Sequence, residues 1–74
     1  MWINDIDEGL AVIAQVVGAY KCTFEKITGS YHCIIFWMND TDCYVWSYVH
    51  KVLWKTNAKT NASTCLYEDG KIKG

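Results

Sequence analysis

Six side chains in this 74-residue chain could act as soft metal ligands or as a nucleophile and its base: Cys22, Cys33, Cys43, Cys65, His32 and His50. Structural zinc sites usually take cysteines in pairs two to four residues apart. Here the cysteines are separated by 10, 9 and 21 residues. Spacing therefore predicts no metal site, although Cys22 and Cys33 could face each other across a hairpin with a histidine nearby. A cysteine nucleophile needs a histidine base within hydrogen-bond reach. His32 and Cys33 are neighbours on a predicted strand and point to opposite faces. Cys43 and His50 are seven residues apart, about 10 Å along a helix. The acids Asp5, Asp7, Glu8, Asp40 and Asp42 stand where helices are predicted to begin, which capping explains. The five glycines are single and form no phosphate loop. The expectation is a protein that is not an enzyme, with no catalytic residue, metal or cofactor.

Charge narrows the partners. All seven cationic residues are lysines, so the planar fork that grips phosphate or guanine bidentately is missing. Residues 1–50 carry two lysines against six acids and residues 51–74 five lysines against two. This polarity is too modest for nucleic-acid binding to be expected. Lys51, Lys55 and Lys59 recur every four residues near Trp54. On a helix they would form a stripe, read first as favourable contacts with its C-terminal dipole. The alternative is a nucleotide or other anion site, with Trp54 or Tyr44 stacking on a ring and Lys51 or Lys55 meeting the charge.

The apolar stretch from Gly9 to Tyr20 follows Asp5, Asp7 and Glu8, where a signal peptide would be positive. No apolar run approaches the roughly 18 residues of a membrane span. The expectation is a cytoplasmic chain with reduced thiols and no membrane contact. Asn39-Asp40-Thr41 and Asn61-Ala62-Ser63 are then chance matches to a glycosylation pattern.

The elements that must position these residues follow from periodicity. Ile6, Leu10, Val12, Ile13, Val16, Val17 and Tyr20 fall within an arc of about 160° on a helical wheel. They predict a helix from about Ile6 to Gly18, with Asp5 and Glu8 as a capping-box variant. Alternation then begins at Ala19, Thr28-Gly29-Ser30 offers a turn, and Tyr31 to Met38 reads as a strand apolar on both faces. Residues 43–54, "CYVWSYVHKVLW", suit a strand by propensity. On a wheel, however, Val45, Trp46, Tyr48, Val49, Val52 and Leu53 share one arc. The acids before the segment and the lysines ending it also suit a helix, which is the preferred reading. Residues 56–63 form a polar loop, Ser63 to Tyr67 a strand, and Asp69-Gly70 a tight hairpin.

The fold expected is a small single α+β domain over residues 1–74, in the order α-β-β-α-β, its short antiparallel sheet covered on one face by two helices. The alternative is an N-terminal helix plus a four-stranded antiparallel meander. Four Trp, five Tyr and two Phe exceed what a core of this size can enclose. A sheet apolar on both faces but covered on one leaves a bare surface of the kind that marks an interface. The composition thus points to a small interaction module, a regulator or inhibitor of a larger host or cellular protein, in the style of a phage or mobile-element product, with a homodimer also allowed. The expected anchors are Trp37, Phe36 and Met38 on the sheet and Trp54, Tyr44, His50, Lys51 and Ser47 on the outer side of the second helix.

Overall fold

A computed structural model describes residues 2–18 and 23–73, the side chain of Trp2 excepted. Helix α1 spans Trp2–Val17. Six strands follow among the described residues: β1 (Lys26–Ser30), β2 (Cys33–Trp37), β3 (Asp42–Ser47), β4 (Val52–Asn57), β5 (Ala62–Glu68) and β6 (Lys71–Ile72). Each pairs antiparallel with the next, giving a single sheet in the order β1-β2-β3-β4-β5-β6. The architecture is the helix-plus-meander alternative, with six strands in place of four.

Helix α1 forms because its apolar positions recur at helical spacing. Gly9, Val12 and Ile13 are buried and Ile6, Leu10 and Val16 half-buried, while Asp7, Ala11 and Gln15 face outward. It begins four residues earlier than its periodicity suggests. Asp5 therefore lies inside the first turn, where its charge meets the positive end of the dipole, rather than at the cap. The helix closes at Gly18, whose φ of +71° suits a residue without Cβ.

The helix lies across β2, β4 and β5 and covers one face of the sheet. Beneath it are Ile34 and Phe36 of β2, Tyr44 and Trp46 of β3 and Leu53 of β4, packed with Val12 and Ile13. Phe24, just before β1, adds an aromatic wall, its ring centroid 5.4 Å from that of Phe36 and 6.1 Å from that of Tyr44. A register irregularity at Leu53/Trp54 sets one extra residue into β5. Leu66 and Tyr67 consequently both pack toward the helix side.

Four expectations are corrected. Residues 43–54 are not a helix but β3, a four-residue loop 48–51, and β4. The loop turns on Lys51 at φ 59°, and the Lys51 N–H donates to Ser47 O at 2.7 Å. The first hairpin does not turn at Thr28-Gly29-Ser30, which belong to β1, but at Tyr31 and His32, the latter at φ 60°. Of the strand placed from Ala19, residues 23–25 are not strand and β1 starts at Lys26, while residues 19–22 lie outside the described ones. The polar stretch 56–63 contributes its ends to β4 and β5 and keeps 58–61 as a loop. That loop repeats the geometry of 48–51: Asn61 stands at φ 60° and its N–H donates to Asn57 O at 2.7 Å. The Asp69-Gly70 hairpin lies where the sequence puts it, with φ 54° and 78°.

At Gly9 the helix approaches the sheet closely. A Cβ there would lie 2.8 Å from two ring atoms of Phe36 and 2.9 Å from Trp46. Gly9→Ala is expected to cost about 1–3 kcal/mol through overpacking, read as a lower denaturant midpoint with shifted Phe36 and Trp46 ring resonances. An unchanged midpoint would contradict this seating of the helix.

Candidate functional surface

Because side chains alternate across a strand, the residues between those under the helix form a second set on the opposite face. The pairing orders them into three rows. One runs Lys26, Trp37, Cys43, Thr56, Ser63; the next Thr28, Ile35, Val45, Trp54, Cys65; the third Ser30, Cys33, Ser47, Val52, Glu68. Among the described residues no element packs on this face. Its middle is apolar: Ile35, Trp37, Val45 and Trp54 are half-buried, and the smaller Cys43, Ser47 and Val52 are buried.

The polar groups on this face mostly satisfy one another. Trp37 Nε1 donates to Thr28 Oγ1 at 3.0 Å, and the Lys26 ammonium stands 4.9 Å from the Trp37 ring centroid. The Thr56 and Ser63 hydroxyls share a bond of 3.0 Å. Cys43 Sγ donates to Thr56 O at 3.6 Å and Cys65 Sγ to Tyr67 O at 3.7 Å. Ser47 Oγ accepts from the His50 N–H at 3.4 Å and also bonds the Cys33 thiol. The middle of the face is an aromatic and aliphatic surface.

The expected anchors separate onto two faces. Trp37, Trp54 and Ser47 belong to the open face, Ser47 as a buried member. Phe36 and Tyr44 are corrected to the core: Phe36 is fully enclosed and Tyr44 is 7% exposed beneath the helix. Met38 packs against that same core. The strand alternation that sends Trp37 outward sends its neighbours Phe36 and Met38 inward. His50 and Lys51 are exposed in the loop 48–51 rather than on a helix. Lys51 reaches Glu8 of α1 at 2.6 Å and lies 6.0 Å from the Trp46 ring centroid, tying its loop to the helix side. Lys55, opposite Tyr44, also projects to the helix side. The four residues of the anion reading, Trp54, Tyr44, Lys51 and Lys55, are therefore not brought together.

Ile35 and Val45, central to the open face, were not among the expected anchors. Ile35 is legible from its alternation with Trp37, whereas Val45 is hidden once its segment is taken as helical. A second feature missed is an open cleft of about 480 Å³ at the sheet end, lined by His50, Val52, Glu68, Asp69, Lys71 and Lys73. Its two lysines are balanced by two carboxylates, and Lys73 lies 3.8 Å from Glu68. The lining therefore does not strongly favour an anion.

Cys33, Cys43 and Cys65 are free thiols on the open face, each opposite a non-thiol residue in the register. Cys22 lies outside the described residues, so the suggested Cys22–Cys33 pairing is not described. No group of three or more His, Cys, Asp or Glu side chains suited to a metal ion occurs among the described residues. The search of protein-family models found no match to the chain, and neither the curated proteins nor the solved structures gave one.

Burial raises the pKa of Cys33, partly offset by its bond to Ser47, and raises that of Cys43, where the Asp42 carboxylate adds to the effect. Both are protonated at neutral pH, the form that suits an apolar surface. A raised thiol pKa stabilises the fold below the unfolded-state value, and that contribution is lost as pH climbs through the folded-state value. The unfolding midpoint is expected to fall above about pH 8.5, and less steeply in a Cys33→Ser/Cys43→Ala double variant. Equal slopes in the two proteins would contradict the assignment.

Proposed function

We propose that this chain is a small non-catalytic interaction module that binds protein through the open face of its sheet. The observation that carries the reading is the apolar, half-buried surface of Ile35, Trp37, Val45 and Trp54 opposite the helix. Tryptophans surrounded by aliphatic side chains are the residue types that concentrate binding energy. A module of this kind acts by occluding or remodelling what it binds, a regulatory or inhibitory role. Three free thiols suit a reducing compartment, and a cytoplasmic site of action belongs to the same proposal. Among the described residues no helix is long and apolar enough to cross a membrane.

Val45→Lys places an ammonium at the centre of the open face, where it can reach solvent without entering the core. Immobilised wild-type and V45K proteins are to be compared for the proteins they hold from an extract of cells that express the chain. The expected result is at least tenfold weaker capture by V45K, with a melting temperature within a few degrees of wild type. Identical capture would overturn the reading, because the central residue of the face would then contribute nothing.

A further inference from the structure

We infer that the occupant of the open face is a second copy of this chain, so that two sheets pack face to face with the helices outside. This rests on the reading of that face as an interface and names its partner. Two observations favour self-association, and the area of the face sets its strength. Many of the polar groups on the face already have internal partners: the Trp37 indole, the Thr56 and Ser63 hydroxyls, the Ser47 hydroxyl and the three thiols. Interfaces between unlike proteins carry about one hydrogen bond per 100–200 Å², whereas homodimer interfaces are the more apolar class. A surface this dry suits a copy of itself better than a polar stranger.

Charge placement agrees. The charged residues on the rows are Lys26 at the β1 edge and Glu68 at the β5 edge, with Lys71 of β6 beside Glu68. A two-fold axis along the strands sets Lys26 near Ser63 of the other copy and Glu68 near its Ser30. An axis across the strands sets Lys26 near Ser30 of the other copy and Ser63 near its Glu68. Neither arrangement opposes like charges.

Area sets the strength. Five strands about 4.8 Å apart and three rows about 7 Å apart give a face of roughly 24 by 20 Å, within a molecule of 28 × 26 × 25 Å. Two such faces cover about 1,000 Å², at the weak end of specific interfaces. The dimer is therefore reversible, with dissociation in the micromolar range. Sheets packed in this way lie about 10 Å apart with strands turned by about 30°.

Sedimentation across about 5–500 µM protein tests the inference. Wild type is expected to shift from the 8.5 kDa chain mass toward twice that value, while V45K stays at the chain mass throughout with native dispersion in its NMR spectrum. Val49→Lys, at an exposed loop position, should dimerise like wild type. If V45K fails to fold, the double variant Ile35→Thr/Val45→Thr keeps β-branched residues in both strands and reads the same face. Wild type remaining at the chain mass at the highest concentration would overturn the inference, as would V45K dimerising like wild type. A monomeric wild type whose protein capture is still lost in V45K removes the second copy but keeps the interaction module. A monomer whose capture V45K leaves unchanged removes both.

Discussion

The structure depends on one close approach. Gly9, without a side chain, lets α1 settle onto the rings of Phe36 and Trp46, and that contact makes one side of the sheet the core. Around it gather Val12 and Ile13 from the helix and Ile34, Tyr44 and Leu53 from three adjacent strands. A helix about 10 Å across cannot also cover the far side of a sheet whose five longer strands span roughly 24 Å. Once the helix takes one face, the other must be covered from elsewhere or meet water.

Strand alternation then distributes the aromatic residues. Each strand that sends Phe36, Trp46 or Leu53 under the helix must send Trp37, Val45 or Trp54 to the opposite side. A protein with no use for that side would place polar residues there, as half-covered antiparallel sheets commonly do. Here the edge of the face is polar and its middle is not. Thr28, Thr56, Ser63 and Lys26 frame Ile35, Trp37, Val45 and Trp54, the arrangement on which the proposed interface rests.

How much of this was legible in the sequence depends on which signals the residues carry. The helix is plain from its 3.6-residue period, the last hairpin from Asp69-Gly70, and the two-sided apolar character of β2 from Tyr31 to Met38. The segment 43–54 misleads because the loop 48–51 begins with Tyr48 and Val49, apolar residues that continue a helical arc without a break. Val49 is in fact 52% exposed, while Lys51 takes the left-handed conformation that glycine or asparagine usually signals. The first hairpin misleads in the same way, with His32 in the left-handed position and the turn-like Thr28-Gly29-Ser30 built into β1. Taking 43–54 as a helix also put Tyr44 on its outer side, when its pairing with Phe36 places it in the core. The bare face was foreseeable because it follows from one strand's composition; its members were not, because they depend on the register of four.

The central claim is that the face of Ile35 and Val45 is available to a partner while that of Ile34 and Leu53 is sealed by the helix. Methyl NMR with a soluble gadolinium chelate, recorded on dilute protein, tests it most directly. The account predicts that the Ile35 and Val45 methyl signals broaden steeply with added chelate while those of Ile34 and Leu53 persist. Equal protection of all four residues in the dilute monomer would contradict it.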